Sequence, residues 1–300
     1  MSAPVPYEAA PTGRTAIPLP RSARASVWLA VIGLASGLPA SLAVAAGWEN
    51  AGFVLPPIIA ALLATTAVFL HRAVRPLLLV LTASVTGLWL ITVALELAEP
   101  LLLGLPTAAR VLAVNGAKVL PLALTAIVLV RYRPSRYEMA LRLGQWRADS
   151  GLRVAGYRID WRLIGTTVGF VVCCGTIATG VEAFNVAGLS EALIWLPVYT
   201  AAAVVNATAE EFLFRHAINA VAGPLMGRTA LIALTSAYFG TTHINGTPSG
   251  LAGILLSGSF GVVLALAIDH TRGFCLNWTL HFIADMAIFF TLIGTAASGT

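Results

Sequence analysis

The sequence predicts an all-α protein, a polytopic transmembrane bundle of about eight or nine helices, on three observations. Hydrophobic residues make up 58% of the 300-residue chain, charged residues only 10%, and mean hydropathy is +0.86. Ordinary globular chains carry about 25% charged residues. The apolar residues fall into runs near 20 long, the length a helix needs to cross roughly 30 Å of hydrocarbon. Arginines gather between alternate runs, the pattern that orients membrane helices. Backbone inside the bilayer is expected to be helical, because a helix satisfies its own hydrogen bonds.

In chain order, residues 1–24 are polar and proline-rich and read as a disordered cytoplasmic tail. Apolar segments follow at about 25–47, 52–70, 76–95, 108–130, 163–182, 192–215, 229–243, 250–268 and 276–297. The first is read as a retained anchor rather than a cleaved signal, given the long leader before it. The segment at 229–243 is short for a crossing, and 101–106 reads as an interfacial turn. Residues 25–130 form an N-terminal helical region, 131–162 a basic loop, and 163–300 a second helical region.

Net charge is +5, and 17 of the 18 basic residues are arginine. Placed between spans, they set topology and touch anionic headgroups, so nucleic acid is not expected as a partner. The loop 131–162 holds eight arginines against three acids, while Glu49, Glu96, Glu99, Glu182 and Glu191 mark the opposite side. The N-terminus and this loop are therefore expected in the cytoplasm, with the chain in the cell membrane. Within the loop, "YEMALRLGQWR" fits a short amphipathic surface helix. The three cysteines have no CxxC spacing and read as buried structural thiols.

Ionisable residues inside spans cost several kcal/mol each unless paired or hydrated, and so mark functional sites. They are Lys118, Glu210, Glu211, Arg215, His216, His243, His281 and Asp285. Glu211 and Arg215 are one turn apart and can pair. Glu210, rotated about 100° away, has no partner on its own helix. That suits a general base; the alternative is one structural ion cluster containing both glutamates. His243 ends its segment with Phe239 one turn before it. His281 and Asp285 form a second i, i+4 pair, in which the carboxylate would fix the imidazole tautomer. Counted at 1.5 Å per residue, Glu210 and His243 both lie about 20 Å deep, so three helices can converge on one site. Lys118 has no partner that the sequence identifies.

"EEFLFR", "FGTTH" and "HFIAD" fit EExxxR, FxxxH and HxxxN/D, in order and on successive apolar segments. Over about residues 190–297 the chain thus resembles the CPBP family of intramembrane proteases, which includes the CAAX prenyl endopeptidases. The resemblance implies peptide-bond hydrolysis within the bilayer, acting on a protein or peptide substrate among membrane lipids, with 163–300 as the catalytic core. It implies a catalytic set of Glu210, Glu211, His243, His281 and Asp285, supported by Arg215 and Phe239. Glu210 would activate water with His243, His281 and Asp285 would stabilise the oxyanion, and Glu211 with Arg215 would hold the site together. The family is described both as metalloproteases and as metal-free glutamate proteases. No cofactor is required on the metal-free reading; zinc on Glu210, His243, His281 and Asp285 is the other. Asp285 departs from the asparagine common in prenyl proteases. An ionised carboxylate cannot donate to an oxyanion, so it must be protonated, orient His281 or bind a metal. The runner-up function is a non-proteolytic scaffold of the same family, immunity- or transporter-like, or an ion relay.

Overall fold

A computed structural model describes residues 50–298, except 71, 136–137, 181–184, 245 and 247–248, together with positions 24, 27, 43, 47 and 48. The expected tail at 1–24 and first span at 25–47 lie outside the described residues, apart from those isolated positions. Each of the other eight apolar segments forms helix. Among the described residues, six helices are long and apolar enough to cross a membrane, and one bent pair makes a seventh. The protein is an integral membrane helical bundle.

Helices α1 (Ala51–Phe69) and α2 (Arg75–Leu103) form an antiparallel pair, stapled where Trp89 Nε1 donates to the Phe53 carbonyl at 2.9 Å. The next crossing is interrupted: α3 (Thr107–Gly116) and α4 (Val119–Tyr132) are separated by a turn at 117–118. Pro121 has no N–H to return to the Ala117 carbonyl, which accepts from Leu120 instead at 3.0 Å. This break puts Lys118 at the N-terminus of α4, at the level of the bundle interior. Gly87 makes room for it, since a Cβ there would lie 2.4 Å from Pro121 Cα.

The segment expected to form a surface helix does not. Residues 138–140 form a turn and 141–148 run irregularly. Ala140 and Gly144 take φ of 52° and 82°, which a helix excludes. Gln145 N instead donates to the Thr271 carbonyl, and Phe274 N to the Arg142 carbonyl, both at 2.8 Å. The loop is bonded to the connection between the last two helices. It then forms an antiparallel hairpin, β1 (Asp149–Val154) and β2 (Tyr157–Asp160). The two turn residues Ala155 and Gly156 both have positive φ, the geometry that closes a two-residue hairpin.

Helix α5 (Trp161–Gly180) follows directly. Helix α6 (Val186–Ile194) then meets α7 (Leu196–Glu211) at a 63° bend. Pro197 in the first turn of α7 withholds the N–H that would continue α6. Helix α7 runs through a π-helical turn, Phe212–His216, into α8 (Ala217–Ala222). The bundle is completed by α9 (Arg228–Thr242), α10 (Gly250–Thr271) and α11 (Cys275–Ser298).

Apolar side chains cannot drive helices together in lipid as they do in water, so close backbone approach matters more. Helices α9 and α10 meet at glycines: a Cβ on Gly240 would lie 2.8 Å from the Ile254 carbonyl oxygen and 2.9 Å from Gly258 Cα. Helices α5 and α11 do the same at Gly180, whose Cβ would fall 2.2 Å from Thr291 Cγ2. The main core joins α2 to the motif helix through Leu77, Leu81, Leu213, Ile218 and Phe239. Ser84 and Tyr238 hydroxyls, 2.8 Å apart, tie α2 to α9 within it.

Candidate active site

The π-helical turn begins directly after Glu211 and ends at His216. Such an inserted residue re-aims side chains and recurs at functional sites. Glu210, Glu211, Arg215, His281 and Asp285 are all buried. The sequence-derived set therefore converges, drawn from α7, the π turn, α9 and α11. Its internal wiring differs from expectation at three points.

Glu211 is the hub. Its Oε1 accepts from Arg215 Nη1 at 2.5 Å and from His281 Nδ1 at 2.6 Å, and its Oε2 accepts from Asn277 Nδ2 at 2.5 Å. The group that fixes the His281 ring is thus Glu211 and not Asp285. Helical geometry explains the correction: His281 Nδ1 faces α7, and its one-turn neighbour Asp285 reaches only Nε2, 3.8 Å away.

Asp285 accepts from Asn206 Nδ2 with both oxygens, at 3.0 and 2.9 Å. The orientation of that amide is determined, because Lys118 Nζ donates to its Oδ1. Of the three roles open to Asp285, the hydrogen bonding favours an ionised carboxylate that orients its neighbours.

Glu210 is not unpaired. Lys118 Nζ, from the break between α3 and α4, contacts its Oε1 at 2.5 Å. Sequence reasoning missed the pair because 92 residues separate the partners and no periodicity links them. Replacing Glu210 with Ala would therefore strand an ammonium, and Gln is the cleaner substitution. Glu210 Oε2 is buried and has no hydrogen-bond partner. It faces His281 Nε2 at 3.4 Å and His243 Nε2 at 3.8 Å.

His243 caps the C-terminus of α9, where its Nδ1 lies 2.7 Å from the Phe239 carbonyl oxygen. A carbonyl only accepts, so Nδ1 carries a proton, and in the neutral ring the Nε2 turned to Glu210 is an acceptor. Phe239 packs three site groups at once. The Arg215 guanidinium lies 4.3 Å over its ring, and the His243 and His281 rings have centroids 4.4 and 5.5 Å away. His216 turns outward from the cluster, and its Nδ1 lies 2.8 Å from the Met139 carbonyl oxygen in the basic loop.

The charges balance within this network when His281 is protonated: Glu210, Glu211 and Asp285 then face Lys118, Arg215 and the imidazolium. His281 Nδ1 donates to one carboxylate while Nε2 faces two more, so the imidazolium matches all its neighbours. Asn206 and Asn277 were also missed, though a signal existed: each lies one helical turn before a motif residue, Glu210 and His281 respectively. Among the described residues, no three His, Cys, Asp or Glu side chains are disposed to hold one metal ion.

Residues 192–287 match the family model for type II CAAX prenyl endopeptidase Rce1-like proteins. No curated protein and no solved structure matches the chain. The matched stretch contains all three motifs and every carboxylate and histidine of the cluster. Over residues 192–287 the chain is thus similar to the type II CAAX prenyl endopeptidases of the Rce1-like family, in agreement with the CPBP likeness of its three motifs.

Proposed function

We propose that the chain is an intramembrane endopeptidase that hydrolyses a peptide bond of a membrane-associated protein or peptide, using water activated by Glu210 and His243. One observation carries this reading: the buried, unbonded Glu210 Oε2 and His243 Nε2 face each other across 3.8 Å, and with a neutral His243 both are acceptors. Two converging acceptors suit a molecule with two O–H donors, which is water.

Glu210 takes one water proton as the water oxygen bonds to the scissile carbonyl carbon. The carbonyl oxygen gains the displaced electron pair and becomes an oxyanion. The His281 imidazolium, held through Nδ1 by Glu211, turns its Nε2–H toward that charge. Glu210 then passes its proton to the amide nitrogen, the C–N bond breaks, and a carboxylic acid and an amine leave. Asp285 supports the imidazolium and is not an oxyanion donor. Glu211, Arg215 and Phe239 hold the geometry without touching substrate.

No metal enters this scheme. The Lys118 ammonium on Glu210 already supplies the cation that a divalent ion would bring. Cleavage that persists in chelator supports the metal-free route. Cleavage lost in chelator and restored by zinc would instead favour zinc on Glu210, His243, His281 and Asp285. The cell membrane with a cytoplasmic N-terminus remains the preferred placement, on the arginine asymmetry of the loops.

The deciding experiment compares protein N-termini, by mass spectrometry, in membranes of cells expressing the intact chain or Glu210→Gln at matched levels. New N-termini found only with the intact chain are expected. An identical set from both, with both proteins folded, would favour the scaffold reading.

A further inference from the structure

The family match begins at residue 192, yet the cluster is completed by a side chain 74 positions earlier. Lys118 lies in the break between α3 and α4, where Pro121 keeps the helix from continuing. From there its Nζ reaches two acceptors on α7, Glu210 Oε1 at 2.5 Å and, one turn before it, Asn206 Oδ1. The lysine side chain is 23% exposed and the glutamate only 8%. A buried carboxylate next to an ammonium is held in one rotamer as well as being neutralised.

We propose that Lys118 is a positioning residue for hydrolysis, and that it acts through two oxygens. It occupies Glu210 Oε1, which leaves Oε2 as the oxygen turned to His243 and His281. It also occupies Asn206 Oδ1, which turns the Asn206 amide nitrogen onto both oxygens of Asp285. One ammonium thereby fixes the water-activating carboxylate and the carboxylate behind the oxyanion-binding imidazole. Without it, Glu210 would rotate between equivalent oxygens, and Asn206 would be free to flip and present its carbonyl to Asp285. The N-terminal helices therefore complete the site as well as anchoring it. This inference rests on Glu210 being the base.

The test uses full-length protein in detergent micelles and a peptide spanning a cleavage site found in the N-terminal comparison. Lys118→Met is expected to lower kcat by about 10- to 100-fold, the scale of a displaced catalytic group, with KM within about threefold. Lys118→Arg, which keeps the cation, is expected to restore most of the loss. In the Glu210→Gln background, Lys118→Met is expected to change residual turnover by less than about twofold, because the two residues act as a unit. A purely structural lysine would lower the folded fraction and leave turnover per folded molecule intact. If Lys118→Met is not recovered folded, Lys118→Gln and Lys118→Arg carry the same comparison.

Wild-type turnover in folded Lys118→Met, with Glu210→Gln inactive, would overturn this inference and leave the base assignment standing. Activity in Glu210→Gln, or no cleavage by the intact chain, would remove both.

Discussion

On one side of the motif helix, Glu211 accepts from Arg215, Asn277 and His281. On the other, Glu210 has Lys118 on one oxygen and a buried second oxygen with no hydrogen bond, facing His281 Nε2 at 3.4 Å and His243 Nε2 at 3.8 Å. The two carboxylates are adjacent in sequence, both buried, and differ in how completely they are bonded. A buried carboxylate bonded through both oxygens is committed to holding structure, since neither oxygen is left open for chemistry. A half-bonded one keeps a position for a proton. The unsatisfied oxygen of Glu210 is a cost to the fold, and it makes sense where function requires that oxygen.

The sharpest way to break this contrast is to neutralise each member in turn. Glu210→Gln should lower turnover by about 10²- to 10⁴-fold, the usual worth of a general base, while the melting temperature stays near that of the parent. Glu211→Gln should do the reverse in kind. It leaves Arg215, which is 0% exposed, without its counter-charge, so folded protein should be hard to recover. Thermal melting in detergent beside cleavage assays separates the two. Equal melting temperatures for the two variants would remove the distinction.

Arg215→Met approaches the same pair from the other partner. Removing one half of a buried ion pair costs about 3–5 kcal/mol, because the remaining charge stays buried and unpaired. The loss should appear as a lower unfolding midpoint in denaturant. Adding Glu211→Gln to Arg215→Met should return part of it, since the stranded charge is then gone. A double variant no more stable than the single one would mean that Arg215 acts chiefly through its packing over Phe239.

Legibility in the sequence follows the same division. The helices around the site could be located because length and apolarity suffice for a crossing: α1, α5, α10 and α11 begin within two residues of the expected segments. The pair Glu211–Arg215 was legible because an i, i+4 spacing is local. The Lys118–Glu210 pair was not, since it depends on how two distant helices pack. The surface helix expected in the basic loop fails for a related reason. The "YEMALRLGQWR" stretch has a helical pattern, but bonding to the α10–α11 connection and the positive φ at Ala140 and Gly144 override it.

A smaller effect is expected where a polar group serves packing alone. The Tyr238 hydroxyl bonds Ser84 Oγ at 2.8 Å, next in sequence to Phe239 but directed at α2. Tyr238→Phe should cost about 1 kcal/mol, the net worth of one hydrogen bond, and leave kcat unchanged. A drop in kcat of more than about tenfold, roughly 1.4 kcal/mol in barrier, would mean that the site extends through α9 toward α2.

The smallest effect belongs to a carboxylate outside the membrane. Asp160 ends β2, and its Oδ1 accepts from Leu163 N at 3.0 Å, capping the start of α5, with Arg162 on Oδ2 at 3.0 Å. The backbone bond from Leu163, opposed by desolvation and aided by Arg162, holds its carboxyl below the ordinary carboxylate range. A lowered folded-state value means that Asp160 supports the hairpin–helix junction above the ordinary carboxylate pKa. That support fades as pH falls through the lowered value. Unlike Glu210 and Glu211 it is solvated, so its loss should be confined to the junction, with cleavage unaffected. The amide resonance of Leu163, followed in micelles as pH is lowered, should titrate with a midpoint below that of a free aspartate. A midpoint at the free value would mean that capping in solvent does not bias protonation, and that the contrast between bonded and half-bonded carboxylates is a property of the buried cluster alone.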